Sequence, residues 1–336
     1  MVVVYVANAD SHDISVLRLD PASGELAALQ QVAVGGTVMP LAVSPDRRFL
    51  YASIRSEPFE VQSFAVDPGD GRLVRIGRHP LPASMCFIGT DAAGRFLLSA
   101  SYGGSTIAVS PIDAAGIAWP AQQTALTAAN AHAVRGDPQN RFLFASCLGG
   151  GVLLGYRFDA ASGAFEPEVA SSWRARPGAG PRHFVFHPSA PFAYLLNELD
   201  AGVDVLAYDA ARGVFSTAQM ITSLPPGFTG APWAADIHLT ADARFLYTSE
   251  RRSSTLAAFA VDADGGGLSL LQHVTTEAEP RGFAVDPSGR WLLAVGQASH
   301  HLSVHAIDPA SGRLEQYGRY AVGRNPNWVE IVELPR

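Results

Sequence analysis

Leu41-Ala42-Val43, then Ser44-Pro45-Asp46-Arg47-Arg48, then Phe49-Leu50-Tyr51-Ala52-Ser53-Ile54 decide how this chain folds, together with Val61-Gln62-Ser63-Phe64-Ala65-Val66 and the Asp67, Gly71, Leu73 set behind them. Three short apolar or alternating runs are separated by turn residues, and a fourth run starts after Gly71. Alternation with a period of two, rich in β-branched and aromatic residues, reads as β-strand. Asp67 and Gly71 read as a hairpin connection. Glycine takes the positive φ such a turn needs, and aspartate can bond its own turn backbone.

The same unit recurs. Its Asp, Gly and apolar marker returns as Asp20/Gly24/Leu26, Asp159/Gly163/Phe165, Asp209/Gly213/Phe215, Asp262/Gly266/Leu268 and Asp308/Gly312/Leu314, with a shortened copy at Asp113/Gly116. A second marker, an aromatic after a Ser, Thr, Asp or Pro turn, falls at Phe49, Phe96, Phe142, Phe192, Phe245 and Trp291. The aromatic positions are spaced 47, 46, 50, 53 and 46 residues apart, and the glycines keep nearly the same intervals. Four short strands per repeat of this length, with no helical pattern, predict blades of a β-propeller.

There are seven hairpin markers and six aromatic ones. The first residues, Val3-Val4-Tyr5-Val6-Ala7-Asn8, align with the second strand of a blade, and Pro326-Asn327-Trp328-Val329-Glu330-Ile331 align with a first strand. The two ends are expected to complete one blade together, which removes the open edge of the ring. The fold expected is all-β: a seven-bladed β-propeller of four-stranded antiparallel blades in a single domain spanning 1–336.

The chain has 336 residues, of which 48% are hydrophobic and only 16% charged, with a net charge of -7. That balance argues against a nucleic-acid surface. No apolar run approaches the length of a membrane span, and no basic flank or cleavage site marks a signal peptide. Cys86 and Cys147 are too few for a disulfide framework and sit in apolar runs. A reduced, cytoplasmic protein is expected, with no membrane partner, and a monomer.

The polar groups fall at two register positions. Ten residues before each aromatic stand Met39, Cys86, His132, Arg182, Ala235 and Arg281, with Asn327 in the closing blade; six after it stand Arg55, Tyr102, Leu148, Glu198, Arg251 and Gln297. In a propeller these are the mouth of the inner strand and the end of the second strand, which share one face. The segment Gly180-Pro181-Arg182-His183-Phe184-Val185-Phe186-His187-Pro188, with Asn197-Glu198, puts two basic residues at one such point and a carboxylate at the other. His132, Arg182, Arg281 and Glu198 are therefore candidates for one funnel. Simpler readings stand beside this one. Glu198 could merely neutralise Arg182 or Arg251, Asp236 could bind strand-mouth amides, and His238 could only bridge blades. His187 and His305 read as structural. No zinc spacing, phosphate loop or nucleophile elbow occurs, and the repeated turn aspartates are not metal ligands, so no metal and no cofactor are expected.

Over essentially its whole length the chain resembles the seven-bladed lactonase family of bacterial 6-phosphogluconolactonases. The resemblance rests on Gly180-Pro181-Arg182-His183 with Phe186-His187-Pro188, Asn197-Glu198-Leu199, Trp233-Ala234-Ala235-Asp236-Ile237-His238 and Glu279-Pro280-Arg281-Gly282-Phe283. Gly296-Gln297 with Ser299-His300-His301-Leu302-Ser303-Val304, and Gly318-Arg319-Tyr320-Ala321-Val322-Gly323, complete it. It implies hydrolysis of 6-phospho-D-glucono-1,5-lactone in the pentose phosphate pathway, with a phosphorylated sugar lactone as the small-molecule partner. Fungal carboxy-muconate lactonizing enzymes share the fold, and their site, a His, two Arg and a Glu, maps onto His132, Arg182, Arg281 and Glu198. The resemblance thus leaves open whether a lactone is opened or closed. One departure is local: Asn130-Ala131-His132-Ala133 replaces a Cys-His-Ser type of run.

The residues allow a chemistry. His132, with a solution pKa near 6.5, suits a general base for water. Glu198 could orient it or share the role, while Arg182 and Arg281 could divide oxyanion stabilisation and phosphate binding. His183, Asp236, His238, Arg251, Gln297, His300 and Arg55 are candidates for sugar hydroxyls or phosphate. The rivals are a lactonase or lactonizing isomerase on another lactone, and a non-enzymatic binding platform. A platform would present an aromatic patch rather than a convergent Arg, His and Glu set.

Overall fold

Each predicted repeat closes into its own antiparallel sheet in the computed structural model of the protein, which describes residues 1–334. In the first blade, Val38–Val43, Phe49–Ile54, Glu60–Val66 and Leu73–Pro80 pair in sequence order. The other blades lie at 87–126, 131–174, 181–222, 234–275 and 280–321, and the seventh joins 326–333 to 2–33. The first strands of successive blades pack side by side in a ring, so the mouths of seven strands surround one axis.

The ring is closed as the termini foretell. Pro326–Glu333 is the inner strand of the seventh blade and pairs antiparallel with Val2–Asn8, Val3 opposite Val332 and Val6 opposite Val329. Hydrogen bonds across the shared sheet leave the ring without an unpaired inner edge at the junction.

The two sequence markers turn out to be the two halves of one contact between blades. The turn glycine of each blade lies under the marker aromatic of the blade before it. A Cβ on Gly116 would come within 2.3 Å of Phe49, on Gly163 within 2.3 Å of Phe96, on Gly213 within 2.7 Å of Phe142 and on Gly24 within 2.6 Å of Trp291. Gly71 meets Val3 in the same way, which explains the missing seventh aromatic: Val3 occupies its place in the closing blade. One marker shifts by a residue. In the fifth blade the positive φ, +81°, belongs to Gly265 rather than Gly266, and the Gly265 N–H donates to the Asp262 carbonyl.

The turn before the aromatic is capped by whichever polar residue stands there. Asp91, Asp137 and Asp286 accept from the N–H groups of Phe96, Phe142 and Trp291; Ser44 and Thr240 do so through their hydroxyls; His187 Nδ1 accepts from Ser189 and Ala190. The chemistry needed is one acceptor aimed at a loop, so the residue type is free to vary. The third blade departs from four strands. Its outer edge is split into Phe165–Pro167 and Trp173–Arg174, both paired to Val152–Phe158, with a 3-10 turn at Val169–Ser171 between them. Pro167 has no N–H to continue the ladder.

Candidate active site

The inner strands carry a recurrent irregularity at the very position where the polar residues stand. In the third blade Ala131 pairs with Cys147 and Ala133 with Ser146, so His132 is skipped. Arg182 is skipped between Pro181 and His183, and Arg281 between Pro280 and Gly282. A residue left out of the ladder in a bulge is re-aimed relative to its neighbours. Of the three bulged residues, His132 and Arg281 come to line one cavity, while Arg182 does not.

That cavity, of about 250 Å³, is lined by Arg55, Cys86, Tyr102, His132, Glu198, Trp233, Arg251 and Arg281. All except Trp233 come from the two register positions that alternate around the ring. Arg182 lies behind this wall, 1% exposed. Its Nε donates to Glu198 Oε2 at 2.8 Å, and its Nη1 donates to the Ala235 carbonyl. Arg251 Nη2 donates to the same Glu198 oxygen at 2.8 Å, and its Nε donates to the Trp233 carbonyl. The Arg251 guanidinium also stacks over the Trp233 ring, 3.7 Å from its centroid. Glu198 thus neutralises both Arg182 and Arg251. Arg281 has no carboxylate partner among the described residues, and its Nε has no hydrogen bond there. Arg55 is held by the Ser84 hydroxyl at 3.0 Å.

Four guanidinium groups converge against one carboxylate, so the cavity is locally positive in a protein whose net charge is -7. Burial alone would raise the Glu198 pKa, but Arg182, Arg251 and Arg281 offset it and hold the carboxyl below its ordinary value. Burial and neighbouring guanidiniums lower Arg251 to about 8 and Arg281 to about 9, which leaves both charged at neutral pH. Burial, then Arg182 and His183, push His132 well below the usual histidine value. The solution value near 6.5 therefore does not apply: His132 is a neutral imidazole across the physiological range. Its Nδ1 is sealed without a partner, which leaves Nε2 as the nitrogen open to the cavity.

Not every candidate reaches this cavity. His183 is 2% exposed and sits one layer deeper, its ring edge-on to His132 with centroids 5.1 Å apart. Its Nδ1 is 2.8 Å from Asp236 Oδ1, and Asp236 Oδ2 is 3.1 Å from His238 Nε2. His238 opens into a different cavity of about 600 Å³, which it shares with Arg135, Trp328 and Glu330. Gln297 and His300 lie aside as well. Gln297 bonds the Asn325 side chain, and the exposed His300 accepts from the Asn325 N–H. His187 and His305 are held in turn and strand hydrogen bonds. Trp233, Tyr102 and Cys86 line the cavity without having been read as functional; the register position marks the last two, and only the resemblance stretch that begins at Trp233 marks the first. Among the described residues no three His, Cys, Asp or Glu side chains converge as a metal site.

The geometry agrees with comparison to known proteins. Residues 1–331 match the family described as "Lactonase, 7-bladed beta-propeller". The chain is 42% identical over 332 residues to the 6-phosphogluconolactonase of Pectobacterium carotovorum, covering 99% of both chains. It is also 42% identical over 332 residues to that of Serratia proteamaculans, covering 98% of both. The periplasmic gluconolactonase of Pseudomonas aeruginosa superposes with a TM-score of 0.91 at 30% identity, covering 100% of both chains. With a full-length family match, full-length relatives and the ring geometry in agreement, this chain belongs to the seven-bladed β-propeller lactonase family.

Proposed function

We propose that the protein hydrolyses 6-phospho-D-glucono-1,5-lactone to 6-phosphogluconate, a step of the pentose phosphate pathway. One observation carries the reading. A single small cavity joins a neutral imidazole whose Nε2 is open to an arginine with no carboxylate partner among the described residues. A lactone is already an activated ester. What it needs is an aimed water, a stabilised oxyanion and a grip on its anionic end.

His132 Nε2 accepts a proton from water as the water oxygen attacks the lactone carbonyl carbon. The oxyanion that forms is stabilised by the positive wall. As the tetrahedral intermediate collapses, the bond from that carbon to the ring oxygen breaks, and the imidazolium returns its proton to the departing oxygen. The product acid then ionises. Glu198 is a poor base, because its Oε2 already accepts from two guanidiniums that hold it ionised. Its work is to keep Arg182 and Arg251 in place. Arg281 and Arg55, left without a carboxylate partner among the described residues, are the groups to take the phosphate, Arg281 being the stronger candidate because its Nε has no hydrogen bond there either.

The compartment and assembly follow the same course: a cytoplasmic monomer built as one domain, with Cys86 and Cys147 free and buried. No helix of the described residues is long and apolar enough to cross a membrane. The deciding experiment is turnover of freshly made 6-phosphogluconolactone, with spontaneous hydrolysis subtracted and the phosphate-free lactone as control. Strong preference for the phosphorylated lactone is expected. Turnover of a carboxymuconolactone in its place would shift the reading to the lactonizing relatives.

A further inference from the structure

We propose that His183 and Asp236 act as a positioning relay that holds His132 in the tautomer whose Nε2 lone pair faces the cavity. This rests on the reading of His132 as the general base. Neither His183 nor Asp236 lines the cavity, so neither is placed to touch a substrate there.

Three sealed histidine ring nitrogens have no hydrogen-bond partner among the described residues: His305 Nδ1, His132 Nδ1 and His183 Nε2. The last two belong to rings that meet edge-on with centroids 5.1 Å apart. That separation matches two ring radii plus one hydrogen bond. Pairing the two nitrogens with each other would give both their missing partner. The gain is considerable, since a buried polar group left unpaired costs about 1–3 kcal/mol.

The direction of the proton follows from the far end. Asp236 is ionised and can only accept. Its Oδ1 takes the Ile237 N–H at 3.0 Å and faces His183 Nδ1 at 2.8 Å, while Oδ2 faces His238 Nε2. His183 therefore carries its hydrogen on Nδ1, which leaves a lone pair on Nε2. The only way His132 Nδ1 can meet that lone pair is as a donor. With its hydrogen on Nδ1, His132 presents a lone pair at Nε2, as a base for water requires. The groups around the relay keep both rings neutral. His132 faces the Tyr102 ring and the charges of Arg182, Arg251 and Arg281; His183 is packed against Phe87 and Trp328, with Arg182 and Arg135 near.

The test uses selectively 15N-histidine-labelled full-length protein. In the unmutated protein, His132 is expected to carry its hydrogen on Nδ1; a hydrogen on Nε2 overturns the proposal without any variant. Asp236→Ala removes the acceptor that fixes the hydrogen on His183 Nδ1. His183 then carries it on Nε2, aims it at His132, and reverses His132 in turn. We expect kcat to fall by roughly 10²-fold or more with KM nearly unchanged, because a wrong tautomer in a serine protease costs about 10⁴. Asp236→Ala with native kcat and an unaltered His132 spectrum overturns the relay. His132→Ala with native turnover overturns the base reading instead, so the two failures are distinguishable.

Discussion

A Cβ built on Gly312 would lie 2.2 Å from the ring of Phe245, in the blade before it. Gly312 also sits at φ +70°, where only glycine is unstrained. Gly312→Ala should therefore lose at least about 2 kcal/mol, from left-handed strain of about 1–3 kcal/mol and overpacking of similar size. Chemical denaturation reads this directly. Adding Phe245→Leu should recover part of the loss; strictly additive losses would mean the ring is not the cause.

Glu198 compensates two buried guanidiniums with one oxygen. Glu198→Gln should destabilise the protein by about 3 kcal/mol, the usual consequence of leaving a buried charge without its partner. Activity should fall together with stability, since Arg251 loses its tether. A melting curve like that of the unmutated protein would show that solvent, not Glu198, compensates the pair.

Arg281 is the guanidinium with the fewest commitments. If it grips the phosphate, Arg281→Met should lower kcat/KM for the phosphorylated lactone by roughly 10–100-fold, from a charge-assisted hydrogen bond of about 1.5–3 kcal/mol. The phosphate-free lactone should be little affected. Equal losses on both substrates would assign Arg281 to the oxyanion instead.

The two buried histidines make a prediction about acid. His183 is lowered to about 3 by burial and Arg182, and His132 is lowered as well. Both are neutral when folded, while in the unfolded chain they bind protons below about pH 6.5. Stability should therefore fall as pH drops below about 6.5. Glu198 and Asp236 have depressed values when folded, so the stability they contribute is present above about pH 4 and is lost below it. Denaturation midpoints measured between pH 8 and 4 should decline from the histidine range onward. Turnover should show no half-loss near pH 6.5 from His132, and an acid limb there would contradict its lowered value.

His132→Ala should reduce kcat by roughly 10²–10⁴, the span of general acid–base catalysis. Single-turnover assays separate this from weaker binding. Near-native turnover would remove His132 from the chemistry.

The ring was legible in the residues because its determinants are local and repeated. A period-two pattern defines each strand, and one glycine and one aromatic per blade mark a contact that recurs on every side. The ends showed the closure for the same reason, each being half of a known unit. Register even placed Arg55, Cys86, Tyr102, His132, Glu198, Arg251 and Arg281 at two mouth positions, all of which line the cavity. What only the tertiary structure decided is how those groups share their charges. Arg251 and Glu198 are 53 residues apart, and which arginine is neutralised depends on distances set by blade packing and bulges. The same packing buries Arg182 out of the cavity, turns His238 towards another one, brings Trp233 under Arg251, and keeps His132 neutral. Desolvation and Coulomb energy depend on through-space neighbours, and a list of residues carries no such distances.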